Sequence, residues 1–270
     1  MSIICSGRNF FPKGAWLYST KKQSDLAKEI GYEGLNFLPT WRFVWEMLIL
    51  GKLHASSDMI LSAHRDWRFD RVMEAKTRNK PPWFYQIRNK EDWLFPPSSL
   101  CLKALKKFQK QYKKPVSVMW LEDTKNFSPV VLELWDKIQG INQRQLITWL
   151  KKDRKNRGVA LDTLKFPGWL KSNGLENKEN QVLDELMPYI KWVDYRATRK
   201  FREPSLAVTI EKMEASERLF RLLLKKGYRG DVVVEFGWPD LEQPPFGILD
   251  EDLPAFKDRH ENIIKKIKDY

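Results

Sequence analysis

Three short apolar runs in this 270-residue chain each end on an acidic residue: Val116-Ser-Val-Met-Trp-Leu-Glu122, Gly158-Val-Ala-Leu-Asp162 and Asp231-Val-Val-Val-Glu235. A single carboxylate after a strand usually caps the next helix or pairs with a cation. Three in corresponding positions point instead to a shared pocket, where ionised carboxylates supply hard oxygen ligands to one divalent cation. An oxygen-only set favours Mn²⁺ or Mg²⁺ over zinc.

Apolar runs of four to eight residues bounded by Gly, Pro or charge read as buried parallel strands. Carboxylates at the C-terminal ends of several such strands converge where a (β/α)₈ barrel places its chemistry. A strand and helix alternation runs nearly end to end. Strand one is assigned to Ala15–Tyr18, with Ile3–Cys5 as the alternative; strand two is Gly34–Leu38, closed by Pro39, and strand three Met59–Ala63, leading into His64. The aromatic segment Trp83–Ile87 is assigned to strand four, Val116–Leu121 to strand five, Val159–Leu161 to strand six, Ile190–Val193 to strand seven and Val232–Glu235 to strand eight.

Between them, Ser24 caps a helix that Gly31 stops, Ser99–Tyr112 forms a helix before strand five, and Ser128-Pro129 opens another, with proline in its first turn. Further helices fall near Arg144–Arg157, at Glu211–Lys226 and at Leu253–Tyr270. Two stretches, 66–97 and 166–180, read as loops longer than a plain βα connection, with tryptophans that either wall a substrate or pack the loops down. The fold class is α/β, a TIM barrel in one domain over residues 1–270, a length that such barrels commonly reach.

The 48 Lys and Arg residues against 35 Asp and Glu give a formal charge of +13, which makes nucleic acid a conceivable partner. The cations are spread through helical segments such as Lys103–Lys114 and Lys151–Arg157, interleaved with apolar positions, so solvated helix faces are the favoured explanation. No apolar run reaches about 18 residues and the N-terminal residues lack a signal-peptide pattern, which predicts a cytoplasmic protein with no membrane partner. Cys5 and Cys101 lack CxxC spacing, so they are expected to be plain buried or reduced thiols. His54 and His260 are expected to face solvent. No GxGxxG, Walker A, GxSxG or HExxH sequence is present. The oligomeric state is not legible.

Several segments together resemble the xylose isomerase-like barrel superfamily, which includes sugar isomerases and epimerases and endonuclease IV. Leu26-Ala-Lys-Glu-Ile-Gly-Tyr-Glu-Gly-Leu-Asn-Phe-Leu-Pro39 resembles that family's first helix and second strand, with Asn36 where the family often has Glu. Ile60-Leu-Ser-Ala-His64 resembles its third strand, with His64 at the place of a pocket histidine. Leu121-Glu122, Leu161-Asp162 and Val233-Val-Glu235 resemble the ends of its fifth, sixth and eighth strands.

The resemblance implies that Glu122 and Glu235 are both metal ligands and the acid/base pair on opposite faces of a sugar or sugar phosphate, with Asp162 as a third ligand. A proton would move next to a carbonyl, and the cation would stabilise the enediolate. Two departures stand out. In Ile190-Lys-Trp-Val-Asp-Tyr-Arg196 the seventh-strand histidine ligand is missing, leaving Asp194 as the nearest substitute, and the sixth-strand Asp-x-x-His reads Asp162-Thr-Leu-Lys165. Either a carboxylate-bound divalent metal serves an isomerase or epimerase, or Lys165 and Arg196 occupy the cation's place in a metal-free, inactive barrel that binds a sugar or an anion. His64, Lys165, Arg196, Asn36 and Trp238 are the expected substrate-binding residues. An endonuclease IV-like activity is disfavoured, because three histidines cannot supply that family's trinuclear zinc site.

Overall fold

Short, β-branched apolar runs form the strands: β1 Ile3–Ser6, β2 Gly34–Phe37, β3 Ile60–His64, β4 Val116–Val118, β5 Val130–Leu134, β6 Arg157–Asp162, β7 Ile190–Ala197 and β8 Asp231–Phe236. Each pairs in parallel with the next, and β8 pairs with β1, closing an eight-stranded barrel in sequence order. The computed structural model describes residues 1–10, 18–64, 96, 98–119, 121–134, 141–197, 206–236 and 253–270.

The helices are α1 Thr20–Ile30, α2 Trp41–Trp45 running on into a π-helical turn at Glu46–Leu50, α3 Ser98–Tyr112, α4 Gln143–Lys152, α5 Phe166–Ser172, α6 Glu179–Leu186, α7 Leu206–Lys225 and α8 Leu253–Lys268. Between strands and helices lies the larger core, in which Phe37, Phe108, Leu146, Leu183 and Phe220 are buried. Inside the barrel a smaller cluster of Ile4, Val131, Ala160, Trp192 and Val233 fills the interior, joined by Leu61. No helix among the described residues is long and apolar enough to cross a membrane.

Eight strands and their parallel order agree with the sequence reading, but two assignments change. The first strand is Ile3–Ser6, the sequence alternative, whose Ile3, Ile4 and Cys5 pair with β8; of the expected Ala15–Tyr18, residues 15–17 lie outside the described ones. The segment beginning at Ser128-Pro129 is β5, not a helix. Val130-Val-Leu-Glu-Leu134 is a buried strand whose Leu132, Glu133 and Leu134 pair with Val159, Ala160 and Leu161 of β6, so β-branched pairing overrides the proline signal. The run expected as strand five is consequently β4, ending at Val118, and the expected strand four at Trp83–Ile87 lies outside the described residues.

Smaller corrections follow the same logic. Helix α1 starts earlier than expected, with Ser19 as its cap, accepting from the Lys22 amide at 3.2 Å; Gly31 ends it at φ 100° as expected. The stretch after Phe166 is no open loop: α5 opens with Pro167 in its first turn and buries Trp169 against Phe166, with ring centroids 5.8 Å apart. Of the long stretch before α3, residues 66–95 lie outside the described ones. His260 does not face solvent. It is 1% exposed, its Nδ1 shares a hydrogen bond with the Tyr32 hydroxyl, and its ring packs against Phe236 and Phe256. His54 is exposed, and both cysteines are buried free thiols.

Candidate functional site

Strand alternation sends every second residue inward, and register stacks the inward residues of neighbouring strands in layers. Ala160 lies level with Trp192, and Asp162 with Asp194, on β6 and β7. Arg196 lies level with Glu235 across β7 and β8, and Ser6 level with Asn36 across β1 and β2. Above the apolar interior cluster these strands therefore build a polar layer at their C-terminal ends, where a (β/α)₈ barrel carries its site.

Arg196 is the hinge pin of that layer. Its Nε and Nη2 donate to Asp162 Oδ2 at 2.8 and 2.5 Å, and its Nη1 donates to Glu235 Oε1. The guanidinium thus bridges the sixth- and eighth-strand carboxylates, with its side chain 6% exposed. Lys165 extends the network, with Nζ 2.5 Å from Glu133 Oε1 and 3.5 Å from Asp162 Oδ2. Asp162 also accepts the amides of Leu164 and Lys165 at 2.9 and 3.0 Å, capping the turn that leads into α5. Burial works to raise the Asp162 carboxyl, but the Arg196 and Lys165 charges and the Arg196 hydrogen bonds win, holding it below its ordinary value.

Asp194 goes the other way. Burial comes first among the causes, the charges of Glu133 and Asp162 add to it, and the carboxyl is pushed up to about 8 despite the nearby cations. It is 6% exposed and lines the same cavity as Asn36 and Glu235. The upward shift favours the protonated acid, which has a hydrogen bond to give. Asn36, also 6% exposed, has an unpartnered buried Oδ1. Ser6, Asn36, Ser117, Glu133, Trp192, Asp194 and Glu235 line a cavity of about 10 Å³, room for one water or one hydroxyl group.

The surrounding backbone holds these groups rigidly. Thr163 Oγ1 contacts the Asp194 carbonyl at 3.1 Å and Ser216 Oγ at 2.6 Å and accepts the Arg196 amide at 3.1 Å, tying β6 and β7 to α7. Asn9 donates to the Val234 carbonyl at 2.9 Å and accepts the Phe236 amide at 3.0 Å, fixing the strand end that carries Glu235. Gly7 lets β1 pass close to β2: a Cβ there would stand 2.7 Å from the Asn36 carbonyl oxygen.

Of the residues expected from sequence, the structure brings together Asp162, Lys165, Asp194, Arg196, Glu235 and Asn36. Glu122 is elsewhere: β4 ends at Val118, and Glu122 lies exposed on a 3₁₀ turn at Leu121–Asn126. His64 ends β3 in register with Ser117, so its backbone is level with the polar layer. Trp238 lies outside the described residues. Sequence reasoning missed Glu133, whose signal was a lone acid inside the apolar run Val130–Leu134, and Ser6, Ser117 and Trp192, inward positions of strands whose register was not legible.

The implied divalent cation does not fit this donor set. A cation between Asp162 and Glu235 would have to displace a guanidinium already bound to both. Among the described residues no group of three or more His, Cys, Asp or Glu side chains is arranged to hold a metal.

No protein-family profile and no curated protein sequence matches the chain. Among solved structures, the chain is similar to a xylose isomerase domain-containing protein from Salmonella typhimurium, with 13% identity and a TM-score of 0.43 over 98% of this chain and 95% of that one. It is similar to 3-keto-D-glucoside 4-epimerase from E. coli in its apo form, with 13% identity and a TM-score of 0.39 over 96% and 97%. A sugar phosphate isomerase/epimerase from Parabacteroides distasonis matches at 9% identity and a TM-score of 0.43 over 98% of each chain. By its own strand order and closure, the chain is an eight-stranded (β/α) barrel.

Proposed function

We propose that the barrel mouth is a metal-free well for a neutral, polyhydroxylated small molecule of the sugar type, with Arg196 and Lys165 doing the electrostatic work of a cation. The observation that carries this reading is the pairing of a carboxylate-bridging guanidinium with a buried Asn36 Oδ1 that has no partner among the described residues, in a cavity that the Asp194 carboxyl also lines. Buried hydrogen-bonding groups left without a partner cost about 1–3 kcal/mol each, so a site that carries them gains that much when a ligand satisfies them.

The charge balance selects the ligand class. Among the described residues the layer holds four carboxyl groups, of Glu133, Asp162, Asp194 and Glu235, and two cations, Lys165 and Arg196. With Asp194 protonated, the layer remains net negative, which disfavours a phosphate or carboxylate at this depth. A hydroxyl group fits: it accepts from the neutral Asp194 acid and donates to Asn36 Oδ1. The cavity admits one such group, and the rest of the ligand lies toward the C-terminal mouth.

The test is calorimetric titration of the full chain with matched pairs of neutral monosaccharides or cyclitols and their phosphates. A neutral ligand binds more tightly than its phosphate, and Asp194→Ala and Asn36→Ala each weaken it by about tenfold, the equivalent of one buried hydrogen bond. Tighter binding of the phosphate, or unchanged affinity in both variants, overturns the reading.

A further inference from the structure

Among the described residues, one position of the outer ring carries no helix. Every other connection between consecutive strands, and the segment after β8, contributes an α-helix to the outer ring, whereas among the described residues β4 and β5 are joined by the 3₁₀ turn Leu121–Asn126 alone. Among the described residues, one flank of α4 therefore has no neighbouring helix. Between that flank and the turn lies an open groove of about 570 Å³, far larger than the barrel-mouth cavity and outside the site described above.

Among the described residues the groove is lined by Lys125, Arg144, Lys152 and Arg157 and by no carboxylate. None of these four cations makes an ion pair among the described residues, while Lys257, Lys266, Arg218 and Arg221 on other helices and Lys226 just after α7 are all paired. Arg144 and Lys152 stand eight positions apart on α4, which spans about 12 Å at the helical rise. Trp149 lies between them, partly buried, with the Arg157 guanidinium 5.2 Å from its ring centroid, and Gln145 and Thr148 add neutral hydrogen-bonding groups.

We propose that this groove binds single-stranded nucleic acid, with Lys125, Arg144 and Lys152 on successive phosphates and Trp149 against a base. Charge complementarity calls for a polyanion, and the +13 formal charge of the chain steers one toward it. The extended span favours several linked charges over one small anion. The indole selects among polyanions: an unpaired base stacks on it, whereas a duplex hides its base faces and an acidic peptide has none. The basic run Lys151–Arg157, read from sequence as a solvated helix face, supplies two of the groove's four cations.

Fluorescence anisotropy of the full chain with a labelled oligothymidylate of about twelve nucleotides tests this between about 50 and 200 mM salt. Engagement of three or four phosphates gives a slope of log K against log salt of about −2 to −3. The Lys125→Gln/Arg144→Gln/Lys152→Gln variant flattens the slope by about 2 units, and Trp149→Ala weakens binding by about tenfold. The comparison variant Lys103→Gln/Lys106→Gln/Lys110→Gln removes the same charge from the exposed face of α3. An equal loss in that variant shows non-specific attraction and overturns the proposal. No binding at the lowest salt, or equal affinity for a duplex or a polyglutamate of matched charge, also overturns it. Unchanged melting temperatures of the variants establish that they are folded.

Discussion

Replacing Asp194 by Asn stabilises this protein at neutral pH, in a way that vanishes on acidification. Asp194 ionises near 3.8 in the unfolded chain but at about 8 in the barrel, where burial and the Glu133 and Asp162 charges oppose its ionisation. Below pH 3.8 it is protonated in both states and costs nothing. As the pH rises, the unfolded chain releases the proton while the folded one keeps it, and stability falls by 1.36 kcal/mol per pH unit until the folded group ionises near 8. From 3.8 to 7 that amounts to about 4 kcal/mol, an upper bound because the denatured chain is itself partly structured. Asn is nearly isosteric and does not titrate. The difference in unfolding free energy between Asp194→Asn and the parent, from urea curves between pH 4 and 8, should therefore grow with pH to about 2–4 kcal/mol at neutrality. Subtraction cancels the titrating groups distant from Asp194; Asp162, coupled to it, has a lowered value and acts in the acid window below 3.8. A difference that stays flat across this range would refute both the neutral acid and the hydroxyl contact assigned to it.

Arg196→Met leaves Asp162 and Glu235 buried without their shared cation and should cost about 3–5 kcal/mol in the same assay. Adding Asp162→Asn and Glu235→Gln should restore most of the loss, because the uncompensated charges are then gone. Glu122→Gln, on an exposed turn, should change stability by less than about 0.5 kcal/mol and leave sugar affinity untouched; loss of affinity would return Glu122 to the site. Gly7→Ala forces a methyl group against the Asn36 carbonyl and should cost about 1–3 kcal/mol in urea, with weaker ligand binding because Asn36 is displaced.

Much of the barrel was legible because parallel strands buried on both faces read as continuous apolar runs, and β6, β7 and β8 stand where those runs lie. The polar layer was legible in part for the same reason: Asp162, Asp194, Arg196 and Glu235 lie at the C-terminal ends of well-marked strands. Glu122 failed as a neighbour because a strand's end depends on its partner. Val116–Val118 pairs with Val130–Leu132, and the chain leaves the sheet before Glu122. Glu133 was hidden by a proline that suggested a helix, and only register against Ala160 reveals it as an inward residue. Likewise, that Arg196 bridges two carboxylates is a matter of register and reach, neither of which a single sequence encodes locally.

The central claim, that a guanidinium bridge stands in for a metal, is tested most directly by melting the full chain in chelator with and without its best neutral sugar ligand, then again with added Mn²⁺ or Mg²⁺. The account predicts a ligand-induced rise in melting temperature that is undiminished by chelator, unchanged by either cation and reduced in Asp194→Ala. A rise that appears only when the cation is present would contradict it.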